Sequence, residues 1–208
     1  MKIDFNFSKT VKGFMDDHEA EELYLTARKA AELGPCLEIG SYCGKSAYFI
    51  GMACKEKKSI LFSIDHHKGS EEQQPGEEYF DPDLFDKEQN CIDTFKFFKD
   101  TIKRASLLDT VVPVVADSAT AGKMWSTPVA FVFIDGGHTF EAAYNDYSMW
   151  SKHIMPGGFL VIHDIFMDPD KGGQAPRKIY EKALGSGEYE KVAMTGTLGV
   201  LRKLADGR

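Results

Sequence analysis

Residues 36–46 read CLEIGSYCGKS, a short apolar strand that ends in an acid, followed by a glycine turn and the start of a helix. Glycines let backbone N–H groups approach a ligand closely, and the N-terminus of a helix supplies further donors. Glu38, near the end of the strand, can accept hydrogen bonds from a ribose or an amino group. The stretch therefore favours a site for a nucleotide-type cofactor.

Apolar runs alternate with helical patterns on both sides of this stretch. Strands are predicted near residues 36–39, 59–64, 111–116, 129–134 and 159–162, with helices before the first strand, near 44–57, 88–107 and 119–125, and from residue 140 onward. Continuous apolar strands separated by helices are typical of a parallel sheet covered on both faces. Residues 189–194 and 198–204 predict an antiparallel hairpin at the sheet edge. We therefore expect an α/β fold with a doubly wound, mostly parallel sheet of about seven strands.

The chain has 208 residues, a net charge of −7 and four cysteines. Its length fits a single domain over residues 1–208. The cysteines form no C-x-x-C pair and no secretory leader opens the chain, so reduced thiols in a cytoplasmic protein are expected. Because no apolar run approaches the roughly 20 residues of a membrane span and the charge is negative, neither a membrane nor nucleic acid is an expected partner.

The negative charge is concentrated in residues 66–90, which contain eight Asp or Glu and two Lys. Pro75, Gly76 and Pro82 interrupt regular structure there. Tyr79, Phe80 and Phe85 would serve no purpose in a merely solvated tail. We interpret the segment as a lid-like insertion. Its aromatic residues would cover an apolar or aromatic substrate, and its carboxylates would disfavour an anionic substrate.

Every predicted parallel strand is followed by, or ends in, a polar residue that can bind a ligand. These residues are Glu38, Asp65, Asp117, Asp135 and the pair His163 and Asp164. In an open parallel sheet, ligands bind beyond the carboxyl ends of the strands. A single carboxylate at such a position is commonly a helix cap or a turn residue. Its repetition at five strands indicates a binding site along this edge.

Two familiar glycine motifs fit this chain poorly. A dinucleotide site of the G-x-G-x-x-G type needs a glycine where Tyr42 stands, and the tyrosine side chain would hinder the approach of a pyrophosphate. Gly44, Lys45 and Ser46 match the end of a P-loop, but Gly40 is one residue too near to be its leading glycine. A dehydrogenase and a nucleoside triphosphatase are therefore disfavoured.

The remaining pattern, E-x-G-x-x-x-G with acids after the second and third strands, resembles the class I S-adenosylmethionine (SAM)-dependent methyltransferases, which have a Rossmann-like fold. The resemblance covers residues 36–164 and continues in the terminal hairpin. It implies that the glycine turn lies against the methionine part of SAM, that the acid after the second strand binds the ribose, and that the acid after the third strand meets the adenine. Carried over to this sequence, the cofactor-binding residues are Glu38, Gly40, Ser41, Gly44, Asp65, His66, Asp117, Ser118 and Asp135.

A second element, FIDGGHTFE at residues 133–141 followed by PGGFLVIHD at 156–164, is similar to a small-molecule O-methyltransferase subgroup of the methyltransferase family 24 type. This resemblance implies a magnesium or other divalent cation bound by Asp135, His163 and Asp164, with Asp135 and His138 as catalytic residues and His138 as general base. In the alternative interpretation, Asp164 is a turn acceptor, His163 is the hydrogen-bonded partner of a neighbouring carboxylate, and His138 bonds the local backbone.

The resemblance implies an enzyme that transfers a methyl group from SAM to a small-molecule acceptor, at a hydroxyl oxygen, with or without a divalent metal. Two alternatives stay open: a non-catalytic SAM-binding module, and a magnesium-dependent hydroxylase-like enzyme on the same scaffold. A binding module has no use for Asp135, His138 and Asp164 together, so their presence favours the enzyme. The sequence leaves open whether the protein forms a homodimer.

Overall fold

The computed structural model describes residues 3–137 and 139–205. Over these residues the chain forms nine strands, β1 (Cys36–Ile39), β2 (Leu61–Asp65), β3 (Phe85–Asp86), β4 (Cys91–Ile92), β5 (Val111–Val115), β6 (Val129–Ile134), β7 (Ile154–Ile162), β8 (Tyr189–Thr195) and β9 (Leu198–Lys203). It also forms seven α-helices, α1 (Phe5–Ser8), α2 (Asp17–Ala30), α3 (Lys45–Lys57), α4 (Phe95–Arg104), α5 (Ser118–Gly122), α6 (Phe140–Trp150) and α7 (Ala175–Gly185). None of these helices combines the length and the apolar character that crossing a membrane requires.

Seven of the strands form one sheet in the order β5-β2-β1-β6-β7-β9-β8. The first five strands in this order are parallel to one another, and β9 pairs antiparallel with both β7 and β8. The predicted doubly wound sheet with a C-terminal hairpin is therefore confirmed. Because the chain moves outward from β1 on one side and from β6 on the other, the strand order reverses between these two, which is where ligands bind in such sheets.

The alternation of side chains along the strands divides the core into two layers. Phe131 and Phe133 of β6 pack in the layer that contains α2, α3 and α4. Val132 and Ile134 pack in the layer with α6 and α7. Each fully buried large apolar side chain contributes about 1.5–3 kcal/mol to folding. Burial on both faces explains why the parallel strands read as continuous apolar runs.

Several elements differ from the sequence-based prediction. The helix expected from residue 88 begins at Phe95, because the carboxylate of Asp86 accepts hydrogen bonds from the next backbone N–H groups and turns the chain between β3 and β4. Strand β7 begins at Ile154 and includes the Pro-Gly-Gly sequence. A Cβ at Gly158 would lie 2.7 Å from the carbonyl oxygen of Ala130, so the absence of a side chain lets the two strands approach. Helix α7 was not predicted.

The acidic segment at residues 66–90 is anchored to the body of the protein. Leu84 is fully buried with Cys43 and Ile92, and Phe80 and Phe85 pack around them. Lys12 binds Asp81 at 2.5 Å and Asp83 at 3.0 Å. The prediction that three aromatic residues of this segment cover the acceptor is therefore corrected. Two of them form a small core of their own, and only Tyr79 lines the cavity described below.

Candidate active site

A cavity of about 1420 Å³ opens at the carboxyl ends of the parallel strands. Ligand sites in proteins commonly occupy roughly 300–1000 Å³, so this cavity has room for a cofactor and an acceptor side by side. It is lined by eight of the residues predicted for the site, namely Gly40, Ser41, Asp65, His66, Asp117, Ser118, Asp135 and Asp164. Glu38, Gly44 and His163 are not among the lining residues. His138 lies outside the described residues.

The glycine turn after β1 is held from two sides. Gly40 has a φ of +87°, and a Cβ there would lie 2.0 Å from the carbonyl oxygen of Asp135, so only glycine fits. The carboxylate of Asp65 accepts hydrogen bonds from the backbone N–H groups of Ser41 at 2.9 Å and Tyr42 at 2.8 Å. Two of the turn's donors therefore bind Asp65 and are not free for a ligand.

Asp65 still has capacity for a ligand. Its second oxygen accepts one hydrogen bond, from the N–H of His67 at 2.7 Å. An ionised carboxylate offers about four lone-pair sites, so three protein donors leave room for one more. Because Asp65 lines the cavity, that site is available to a hydroxyl group of a bound molecule.

Glu38 lies beneath the turn and not in the cavity. Strand residues alternate in direction, and this side chain points into the core, where the hydroxyls of Ser63 and Ser46 donate to its two oxygens. Burial raises the pKa of Glu38 to about 8, although both serine hydrogen bonds act in the opposite direction. The prediction of a direct ligand contact is therefore corrected: Glu38 ties β1 to β2 and α3.

Gly44 also supports the turn from behind. It has a φ of +90° and precedes the first residue of α3, and a Cβ there would lie 3.3 Å from atoms of Phe98 and Thr101 in α4. The glycine therefore allows the left-handed backbone at the start of α3 and its close packing on α4. The predicted ligand contact of Gly44 is corrected in the same way as that of Glu38.

A small polar network lies at one end of the cavity, after the carboxyl end of β5. Asp117 caps α5 by accepting the N–H of Thr120 at 2.8 Å. The indole N–H of Trp150 donates to the Ser118 hydroxyl at 2.7 Å. Since indole only donates, the Ser118 proton is free to bind a carboxylate, and it does so at Asp146.

Asp146 is a cavity residue that sequence reasoning missed. It is buried, lines the cavity, and has a pKa raised to about 6 by burial, with the Ser118 hydrogen bond acting against the shift. In the sequence, Asp146 could have been noticed as a single acid on an otherwise apolar face of α6. This face is formed by Ala143, Tyr147 and Trp150.

At the opposite end, His163 lies among three carboxylates. Its side chain is 4% exposed, with Nε2 at 3.1 Å from Glu19 and Nδ1 at 3.2 Å from Asp135 and 3.7 Å from Asp164. Burial alone would lower the pKa of His163, but the charge and hydrogen bond of Asp135 and the hydrogen bond of Glu19 outweigh it and raise the pKa to about 11.

Glu19 is the carboxylate that faces Nε2 of His163. Burial raises its pKa, but hydrogen bonds from His163 and Thr197 outweigh that effect and lower it to about 2. Locally, Glu19 forms a capping box with Asp16 at the start of α2. The long-range partners of Glu19 could not be read from that local pattern.

The three residues predicted to bind a metal lie together, because potential ligand atoms of Asp135, His163 and Asp164 are all within 4.8 Å of one another. Magnesium, however, binds through oxygen. One of the three groups here is an imidazole, and both of its nitrogens face carboxylate oxygens. This donor set does not fit a magnesium ion.

Aromatic side chains border the cavity near the N-terminal segment. Phe14 is 64% exposed, and its ring centroid lies 5.6 Å from that of Tyr79 and 6.3 Å from that of Tyr42. All three residues line the cavity. Phe14 was not singled out from the sequence, since it precedes α2 in an irregular stretch with no periodic pattern.

A family model described as a methyltransferase domain, Methyltransf_24, matches residues 37–165. The chain belongs to this methyltransferase family. The match spans β1 to the residue after Asp164 and includes both ends of the cavity described above. The predicted membership in the methyltransferase family 24 group is confirmed.

Solved structures resemble this methyltransferase over almost its whole length. The O-methyltransferase TomG from Streptomyces achromogenes, in complex with SAM, has a TM-score of 0.65 and 16% identity, covering 98% of this chain and 92% of that chain. An O-methyltransferase from Bacillus cereus, in complex with S-adenosylhomocysteine (SAH), has a TM-score of 0.65 and 14% identity, covering 96% and 87%. SAH-bound PaMTH1 from Podospora anserina has a TM-score of 0.66 and 13% identity, covering 96% and 86%. At such identities the likeness shows the fold.

Proposed function

We propose that the protein is a SAM-dependent methyltransferase that methylates a hydroxyl oxygen of a small molecule. The observation that carries the proposal is the large cavity at the switch point of the sheet, lined by the glycine turn and the acids of four strand tips in a chain of the methyltransferase family. Similar folds bound to SAM or SAH support the cofactor, and the O-methyltransferases among them support the oxygen acceptor.

In this proposal the cofactor extends along the cavity from Gly40 to Asp117. Gly40 and Ser41 contact its methionine part, Asp65 accepts a ribose hydroxyl with His66 alongside, and Asp117 and Ser118 border the adenine. When bound, SAM supplies a sulfonium methyl group that forms a C–O bond as its C–S bond breaks. SAM has no phosphate groups, which agrees with a turn that lacks the full P-loop spacing.

The acceptor would occupy the end of the cavity at Asp135 and Asp164. Carboxylate oxygens there can accept the hydrogen bond of an acceptor hydroxyl and take up its proton. The proposal keeps Asp135 as a catalytic residue together with His138. Phe14, Tyr42 and Tyr79 offer an apolar surface for the body of the acceptor. Carboxylates outnumber lysines in the lining, which disfavours an anionic acceptor.

Calorimetric titration with SAM, SAH and ATP tests the cofactor. Micromolar binding of SAM and SAH without ATP binding is expected, and tight ATP binding with no response to SAM would overturn the proposal. Release of SAH in the presence of a panel of phenols and alcohols then tests the reaction. Asp135→Asn is expected to abolish turnover while SAH affinity stays within about threefold, a difference below 0.7 kcal/mol. SAM binding without any turnover would favour the non-catalytic module.

We also propose that residues 1–208 form a single domain and that the protein acts in the cytoplasm. Its proposed partner is a small molecule, and neither nucleic acid nor a membrane is a proposed partner. Light scattering of the purified protein decides between a monomer and a homodimer.

A further inference from the structure

Several hydrogen-bond donors at the glycine turn already bind acids of the protein. The N–H groups of Ser41 and Tyr42 bind the carboxylate of Asp65. The hydroxyl of Ser46, another lining residue, donates to Glu38 at 2.8 Å. The methionine part of SAM, which is proposed to bind here, carries a carboxylate. Because burying a carboxylate without a partner among other acids is costly, the site requires a cation near this turn.

Lys45 is a cation in this position. Among the described residues, four lysines line the cavity: Lys12, Lys45, Lys152 and Lys171. Lys45 directly follows the glycine turn, as the first residue of α3. Lys12 instead pairs with two carboxylates of the acidic segment. Lys152 follows α6, and Lys171 lies between β7 and α7. Lys45 is therefore the lining lysine placed to reach a ligand group at the turn.

The ammonium group of Lys45 is partly buried and has a neutral partner. Nζ donates to the carbonyl oxygen of Gly13 at 2.8 Å, and within the part of the chain that the structure describes it forms no ion pair. Burial lowers the pKa of Lys45, and the charge of Asp17 offsets part of this effect. An ammonium group has three N–H donors, so two remain beside the bond to Gly13. A negatively charged ligand group would offset the cost of removing this charge from water.

Two further features of the turn favour an anion beside Lys45. The hydroxyl of Ser41 is buried and has no hydrogen-bond partner among the described residues, although buried polar groups are ordinarily paired. Within the same residues, no side chain caps the N-terminus of α3. The positive end of this 13-residue helix therefore adds to the charge of Lys45.

We propose that Lys45 binds the carboxylate of the methionine part of SAM and makes the site selective for a cofactor that carries this group. The inference rests on the proposed function. Lys45 then connects the cofactor to the N-terminal segment, because the same ammonium group binds the carbonyl of Gly13. A Cβ at Gly13 would lie only 3.1 Å from Cβ of Lys45, so the two residues pack closely. Gly13 precedes Phe14, which belongs to the surface proposed for the acceptor.

Paired calorimetric titrations test this contact. The two ligands are SAH and its decarboxylated analogue, which keeps the adenosine, the thioether and the amine. The wild type is expected to bind SAH at least about tenfold more tightly than the analogue, as for a hydrogen bond between charged groups. In Lys45→Met this preference should fall below about threefold, because SAH loses affinity and the analogue does not.

Two control variants separate this role from a purely structural one. Lys45→Arg keeps the charge and is expected to retain most of the preference for SAH. Lys152→Met removes a lining lysine that does not belong to the turn and should keep the wild-type preference. An unchanged preference in Lys45→Met, including an equal loss of affinity for both ligands, would overturn the inference. Lys45 would then serve only to hold the N-terminal segment.

Nuclear magnetic resonance of wild-type protein with nitrogen-15 lysine provides a test that does not depend on the folding of Lys45→Met. The ammonium signal of Lys45, identified by its absence in Lys45→Arg, is expected to shift on addition of SAH but not of the analogue. An equal response to both ligands would contradict the inference. Wild-type protein that binds SAH without preference would overturn this inference alone, whereas protein that binds neither SAM nor SAH would overturn the proposed function as well.

Discussion

Glu38 is a fully buried carboxyl group whose replacement by glutamine should change the pH dependence of stability. Burial raises its pKa from 4.5 to about 8 in the folded protein. Between these two pH values the folded chain holds a proton that the unfolded chain releases. Glu38 alone therefore lowers the stability of the wild type by about 1.4 kcal/mol for each pH unit in this window as the pH rises. Over the whole window the loss is on the order of 4–5 kcal/mol.

Glutamine has nearly the shape of the protonated acid and cannot ionise. The difference in unfolding free energy between Glu38→Gln and the wild type is expected to move in favour of the variant by several kcal/mol between about pH 5 and about pH 8. Unfolding in urea, followed by tryptophan fluorescence of the protein without cofactor, measures this difference. Other titrating groups, including Glu19 and His163, contribute equally to both proteins and cancel.

Glu190→Gln, on the exposed surface of β8, is the matched control for the removal of one glutamate side chain. If the difference for Glu38→Gln did not change with pH, the carboxyl group would be ionised in the folded protein. The account of Glu38 as a neutral tie between β1, β2 and α3 would then be refuted.

Three further substitutions test the site. Gly40→Ala should destabilise the protein by about 3 kcal/mol or more in thermal unfolding, because its Cβ would overlap the carbonyl of Asp135. The control Gly76→Ala, at a φ of +98° with nothing within 4 Å of the added Cβ, should cost only about 1–2 kcal/mol. Asp65→Asn places an amide N–H₂ against backbone donors and should weaken SAH binding at least about tenfold by calorimetry, or about 1.4 kcal/mol; unchanged affinity would rule out the proposed ribose contact. Tyr79→Ala should raise the KM for an aromatic acceptor without changing SAH affinity, and equal effects on both would place Tyr79 elsewhere.

Much of the fold followed from local patterns. Strands buried on both faces are continuous apolar runs, so β1 and β6 were predicted with the observed bounds. The bounds of α4 and β7 were predicted wrongly, because a local turn or a glycine overrides the periodic pattern there. The turn at Asp86 delayed the start of α4, and Gly158 allowed β7 to continue through a sequence that normally ends a strand.

The candidate site divides in the same way. Asp65, Asp117 and Asp135 were predicted to lie at strand ends, and they do line one cavity. Glu38 was misplaced because the pattern located the strand end correctly but not the face on which the side chain points. Asp146 was missed because a single acid on an apolar helix face gives no indication of the cavity beside it.

The sequence by itself determined the α/β architecture and the edge of the sheet where ligands bind, because these depend on periodicity and on spacing within short stretches. Its motifs resemble those of the methyltransferase family to which the chain belongs. Only the tertiary structure decided how the charges pair. Thr197, which is 178 residues from Glu19, donates a hydrogen bond to the Glu19 carboxylate. The other oxygen of this carboxylate faces His163. Such contacts depend on how α2 and the terminal hairpin pack against β7, which no local pattern records.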